Sequence, residues 1–251
     1  MSADPDLPVI SATSAAGGFH TTRWTQVLQA SEPTAEGVDA LRDLCAAYYA
    51  PVIAFLRRRG NDPEAARELA HAFFAGLLEG GAIGGVNQEQ GRFRSYLLGA
   101  VKHFLAHRWE AEQRQRRGGG VAPLSLDAAL EGTPVREIPD HAQLSPEAAF
   151  DRQWAVTVLA RAMATLQAEG AASGRSQLFE QAHPWLIGEA AHGDQGALAE
   201  SLGLSVGAVK VAVHRLKKRY RELIKAEIAR TLRDDTMVAE EMRALFIALG
   251  G

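Results

Sequence analysis

An all-α fold is predicted by three features of the chain. Apolar residues recur at three- and four-residue steps through most of its length, the spacing that puts them on one face of a helix. Glycine, proline and small capping residues fall between the periodic stretches, where helices start and stop. No stretch reads as a convincing strand. Together they predict two small helical domains, 19–117 and 147–225, joined by a Gly/Pro-rich linker over 118–146. A disordered segment, 1–18, precedes them and a helical C-terminal extension, 226–251, follows.

The elements follow in order. Residues 1–18 are small, polar and proline-containing, a composition with too little apolar surface to order itself. Trp24, Val27 and Leu28 make a short amphipathic turn. From Gly37 to Arg59 the apolar positions Leu41, Leu44, Cys45, Tyr48, Tyr49, Val52, Phe55 and Leu56 predict one helix, or two closely joined at Pro51. Asn61-Asp62-Pro63-Glu64 is a helix start, with Leu69, Phe73 and Leu77 facing inward. Gly80–Gly85 ends that helix. The next runs from Phe93 to about Gln115, with Phe93, Tyr96, Leu97, Val101, Phe104 and Trp109 on its apolar side. After the linker, Ser145-Pro146-Glu147 starts a helix with Phe150, Trp154, Val158, Leu159 and Leu166 inward, and Gly170–Gly174 is expected to break it. Gln177–Leu186 is a further helical piece interrupted by Pro184. In the tail, Thr231–Thr236 reads as a turn and Val238, Met242, Leu245, Phe246 and Leu249 as an amphipathic stripe.

Between these lies the stretch richest in signals. Asp194 caps a helix over 195–202, Gly203 supplies a corner, and Ser205 caps a second helix. Val209, Val213, Leu216, Tyr220 and Leu223 form the inward stripe of that second helix, and the small Ala199 lets the two approach closely. This is the pattern of a helix-turn-helix, which lays its second helix in the DNA major groove.

Charge distribution points the same way. The chain has a net charge of −3, but residues 205–225 carry +6 and residues 92–117 carry +5, leaving −14 on the remainder. Two basic helices on an acidic body are the footprint of a protein that grips nucleic acid in two places. The first basic helix interleaves cations with aromatics, a combination that suits single-stranded DNA. For most of the aromatics, core packing of the rings with solvation of the cations is the plainer reading. A lone cysteine, Cys45, excludes a disulfide framework or a cysteine-cluster zinc site. His103 and His107 have the i, i+4 spacing of a chelating pair, but no third ligand or carboxylate cluster accompanies them, so neither a metal nor a metal-dependent nuclease is expected. No glycine motif for a nucleotide is present, and no cofactor is expected. No apolar run reaches membrane-spanning length and no signal-peptide pattern opens the chain, so a cytoplasmic protein with no membrane segment is expected.

Three strings carry a family resemblance. NDPEAARELAHAFFAGLLEG resembles the polymerase-binding helix of region two of bacterial sigma factors of the extracytoplasmic-function (ECF) group. GRFRSYLLGAVKHFLAHRWEAEQRQRR resembles the helix that melts and captures the minus-ten element, and ALAESLGLSVGAVKVAVHRLKKRYREL resembles region four, which reads the minus-thirty-five element. The resemblance implies a non-enzymatic initiation factor whose partners are promoter DNA and the RNA polymerase core, with an anti-sigma protein or other regulator as a further candidate. It implies polymerase contacts from Glu68, Leu69 and Phe73. Lys102, His103, His107 and Arg108 would lie near the displaced strand, with Arg114, Arg116 and Arg117 continuing the basic side. Ser205, Lys210, Val211, His214, Arg215 and Lys218 would meet duplex DNA through phosphates and base edges. The chain departs from the family where Gln-Glu of the polymerase-binding helix is replaced by His71-Ala72, where a common aspartate is His107, and where a common acid is Val206. Loss of the second carboxylate implies a weaker polymerase contact. The second expectation is therefore a sigma-like DNA-binding regulator that does not bind the polymerase core by itself.

Overall fold

The computed structural model describes residues 35–79, 92–118, 144–188 and 195–250. These are all-α, as the sequence predicts. They form eight α-helices: α1 (Ala35–Arg58), α2 (Pro63–Glu79), α3 (Phe93–Gly118), α4 (Pro146–Ala172), α5 (Ser176–Ile187), α6 (Gln195–Leu202), α7 (Val206–Ala229) and α8 (Val238–Ala248). A 3-10 turn at Asp235–Met237 precedes α8, and the sole β-type pairing among the described residues is a single antiparallel bridge from Arg92 to Leu232. The segment 1–18, the turn around Trp24, the loop after α2 and most of the linker lie outside the described residues.

The helix starts follow their capping chemistry. Asp62 Oδ1 accepts from the backbone N–H groups of Glu64 (3.0 Å) and Ala65 (2.8 Å) ahead of α2. Ser145 Oγ accepts from Ala148 N at 3.1 Å, and Ser205 Oγ from Ala208 N at 3.1 Å, each satisfying a donor that the first helical turn leaves open. One expected interruption is absent: Pro184 sits inside a continuous α5. Pro51 sits inside a continuous α1, because the residues on either side of it are buried and packing outweighs the lost backbone bond. The break expected over Gly170–Gly174 is present: α4 runs through Gly170 and ends at Ala172, and α5 starts at Ser176. A Cβ at Gly170 would stand 3.4 Å from Phe179 Cβ, an ordinary contact distance, which shows how near α5 lies to the last turn of α4.

The core joins the two halves of the chain. Tyr48, Val52 and Phe55 of α1 belong to the same buried cluster as Phe150, Trp154 and Val158 of α4, Ile224 and Ile228 of α7, and Leu245 of α8. Tyr48 stacks on Phe150 at 6.2 Å and meets Phe93 edge-on at 5.1 Å. Burial pushes its phenol well above the ordinary range. The most extensive helix–helix contact is α1 against α4, and the next is α4 against α7, so packing runs across the 118–146 segment. Arg58 adds a polar tie, donating from Nη2 to the Leu144 carbonyl at 2.7 Å. Cys45 lies in this core, its thiol raised to about 12 by burial.

A smaller cluster of Ala182, Leu198, Ala199, Val209 and Val213, flanked by Trp185, Leu202 and Leu216, binds α5, α6 and α7 together. In the tail, α7 continues to Ala229, beyond the expected boundary at residue 225. The inward face of α8 is Glu241 and Leu245 with Val238, Met242 and Leu249 half-buried, whereas Phe246 is 57% exposed. Phe246 follows Leu245 by one residue, about 100° around the helix, which turns it off the packed stripe.

Candidate nucleic-acid interface

Two surfaces hold the residues picked out by the sequence. The first is α7 with α6. The axes of α6 and α7 diverge by 101°, within the range of helix-turn-helix pairs. Gly203 makes the corner at φ 63°, the left-handed region that glycine enters without steric cost. Leu204 N then bonds back to Ala199 O at 2.9 Å, closing the turn. Val209 and Val213 are buried against Leu198 and Ala199. That packing fixes which face of α7 looks outward. Lys210, Val211, His214, Arg215 and Lys218 are all exposed there, and Val211 is 50% accessible between the cations. Positions 211, 214, 215 and 218 follow the three- and four-residue steps of one helical face. Lys210, Arg215, Lys217 and Lys218 make no ion pair among the described residues. Arg219 differs: Glu169 of α4 holds it at 2.6 Å and Glu222 at 3.3 Å. The hydrogen bond from Arg219 in turn keeps the Glu169 carboxyl below its ordinary range.

The second surface is the middle of α3. Phe93, Leu97 and Val101 are buried, and Tyr96, Phe104 and Leu105 half-buried, so most of its aromatic side belongs to the core. Trp109 is the exception at 63% exposed. Beside it, Lys102, His103, His107, Arg108 and Arg114 are exposed. Arg114 Nε donates to its own helix at Glu110 O, 3.3 Å away. Arg116 and Arg117 lie in the last turn of α3, with side chains outside the described residues. His103 and His107 meet Nε2 to Nε2 at 3.0 Å, with ring centroids 4.2 Å apart. No group of three or more potential metal ligands occurs among the described residues. Lys102 Nζ stands 2.8 Å from Glu147 Oε1 in the first turn of α4, and that hydrogen bond lowers the Glu147 carboxyl.

The α2 residues divide. Glu68 is exposed and Leu69 half-buried. Phe73 is only 4% exposed, edge-on to Phe104 at 5.6 Å, so it shapes the α2–α3 packing rather than offering its ring outward. His71 Nε2 lies 2.7 Å from the Tyr49 hydroxyl and its ring stacks on Tyr49 at 5.5 Å. This histidine is thus committed to the fold, while Ala72 is exposed and carries no charge.

The start of α3 is a group that sequence reasoning missed. Arg94 makes hydrogen bonds to Glu241 at 3.0 and 3.1 Å and to Asp151 at 2.5 Å, with its guanidinium 4.6 Å from the centre of the Trp154 ring. Arg92 pairs with Glu240 at 2.5 Å and Glu241 at 3.2 Å. Glu241 itself is 1% exposed, a buried carboxylate held by two arginines. The matched signs of Arg92, Arg94, Glu240 and Glu241 were the available signal, but nearly 150 residues separate them. No single helix among the described residues is long and apolar enough to cross a membrane. Comparison with protein-family models, curated proteins and solved structures found no match to this chain.

Proposed function

We propose that this protein is a sigma-type transcription initiation factor, which directs the RNA polymerase core to specific promoters and helps to open the DNA there. It acts by binding and not by catalysis. The observation that carries the reading is the outward face of α7. Lys210, His214, Arg215 and Lys218 surround an exposed Val211, on a helix whose other face packs at 101° to α6. Lysine and arginine there meet phosphates and guanine edges, and the valine offers an apolar contact to a thymine methyl. The exposed Trp109 among the basic side chains of α3 supports a role on unpaired DNA, since an indole stacks on any base. Polymerase engagement falls to Glu68 and Leu69 on the outer side of α2, in line with the family resemblance.

A second reading, a sigma-like DNA-binding regulator that does not hold the polymerase core by itself, is favoured by one specific observation. His71 is bound to Tyr49 and Ala72 offers no carboxylate, so the outer face of α2 presents less negative charge to a basic partner. Pull-down of purified core polymerase by the full chain separates the two. Association that Glu68→Arg abolishes supports the first reading; absence of association at any salt concentration, with promoter DNA retained, supports the second.

A further inference from the structure

We infer that the C-terminal extension, together with Glu147 of α4, forms an intramolecular clasp, which competes with nucleic-acid phosphate for the cations of α3. The inference rests on the reading of α3 as a nucleic-acid surface. Three cations of that helix and its entry have carboxylate partners in the C-terminal half. Arg92 pairs with Glu240 and Glu241, Arg94 with Asp151 and Glu241, and Lys102 with Glu147. The backbone reinforces the contact: Phe93 N donates to Thr231 O at 3.0 Å, beside the bridge from Arg92 to Leu232.

The pairs differ in depth. Glu241 is enclosed, and its partners Arg92 and Arg94 are largely covered. Glu240 and Glu147 stand at the solvent edge, about half exposed. A buried carboxylate costs much of its Coulombic gain in lost hydration, so such a pair chooses between arrangements more than it stabilises one. Phosphate is a strong competitor, because it accepts two parallel hydrogen bonds from a guanidinium as a carboxylate does. Arg94 stays anchored by Asp151 and the Trp154 ring, so Arg92 and Lys102 are the cations that release of the clasp exposes.

The test uses the full chain carrying spin labels on Glu64→Cys in α2 and Arg243→Cys in α8, both exposed; buried Cys45 does not compete for the label. Affinity for a short fluorescein-labelled single-stranded oligonucleotide is measured in parallel. Glu240→Gln combined with Glu147→Gln, at the solvent edge, is expected to raise single-strand affinity about three- to tenfold. Glu241→Gln is expected to broaden and lengthen the label distance. Unchanged distance and unchanged affinity in all variants, with the parent chain binding DNA, overturn the clasp and leave the proposed function standing. A Glu241→Gln protein that loses its helicity, while the edge variant behaves as the parent, also overturns it and makes Glu241 a core strut. If neither parent nor variants bind DNA, the competition with phosphate is overturned together with the proposed function, whatever the label distance does.

Discussion

Replacing Phe150 by alanine tests the core that crosses the two halves of the chain. Phe150 belongs to α4, is fully buried, and stacks on Tyr48 of α1. Removing a buried phenylalanine costs about 3–5 kcal/mol, through lost transfer energy and the cavity left behind. With a urea slope of about 3 kcal/mol per molar, the midpoint falls by roughly 1–2 M. Far-UV circular dichroism follows all the helices. Tryptophan fluorescence includes Trp154, which is buried, and Trp185, which is half-buried, both in the C-terminal half. A shared core requires both signals to shift together, as one transition. If the fluorescence transition moves ahead while much of the dichroism keeps its original midpoint, the halves unfold independently and the reasoning fails.

Three further outcomes are expected. Arg215→Ala relaxes promoter selectivity, whereas Lys217→Ala weakens binding evenly across sequences and reduces its salt slope by about one; titrations of specific and scrambled duplexes at several salt concentrations check both. Gly203→Ala meets no neighbouring atom but places a Cβ at φ 63°, so thermal unfolding should show a loss of about 1–2 kcal/mol with the fold retained. The hydrogen bond from Lys102 lowers the Glu147 carboxyl from its ordinary 4.5, so its contribution is complete above that pH and is lost as pH falls through the lower native value. Glu147→Gln should accordingly flatten that part of the acid limb in a stability–pH series.

The helices were legible because periodicity and capping are local. Ser145, Ser205, Asp62 and Gly203 act where their residue types said they would, over three or four residues of chain. Pro184 misled because local propensity is weaker than the packing that holds α5, where Ala182 is fully buried. The outward face of α7 was legible for the same local reason: its apolar stripe identifies the opposite side. Pairing across the chain was not. An apolar stripe says which face is buried but not what buries it, so the Tyr48–Phe150 stack and the hold of Glu241 on Arg92 and Arg94 left no local trace. Phe73 shows the limit of a motif reading, since its place in the polymerase-binding string says nothing of Phe104 covering it.

In vitro transcription with purified core polymerase tests the central claim most directly. Adding the full chain to core and a library of promoter fragments should yield transcripts from discrete start sites. Arg215→Ala should reduce that selectivity, and Glu68→Arg should abolish the transcripts. Start sites identical with and without the protein, at every protein concentration tried, would contradict the account.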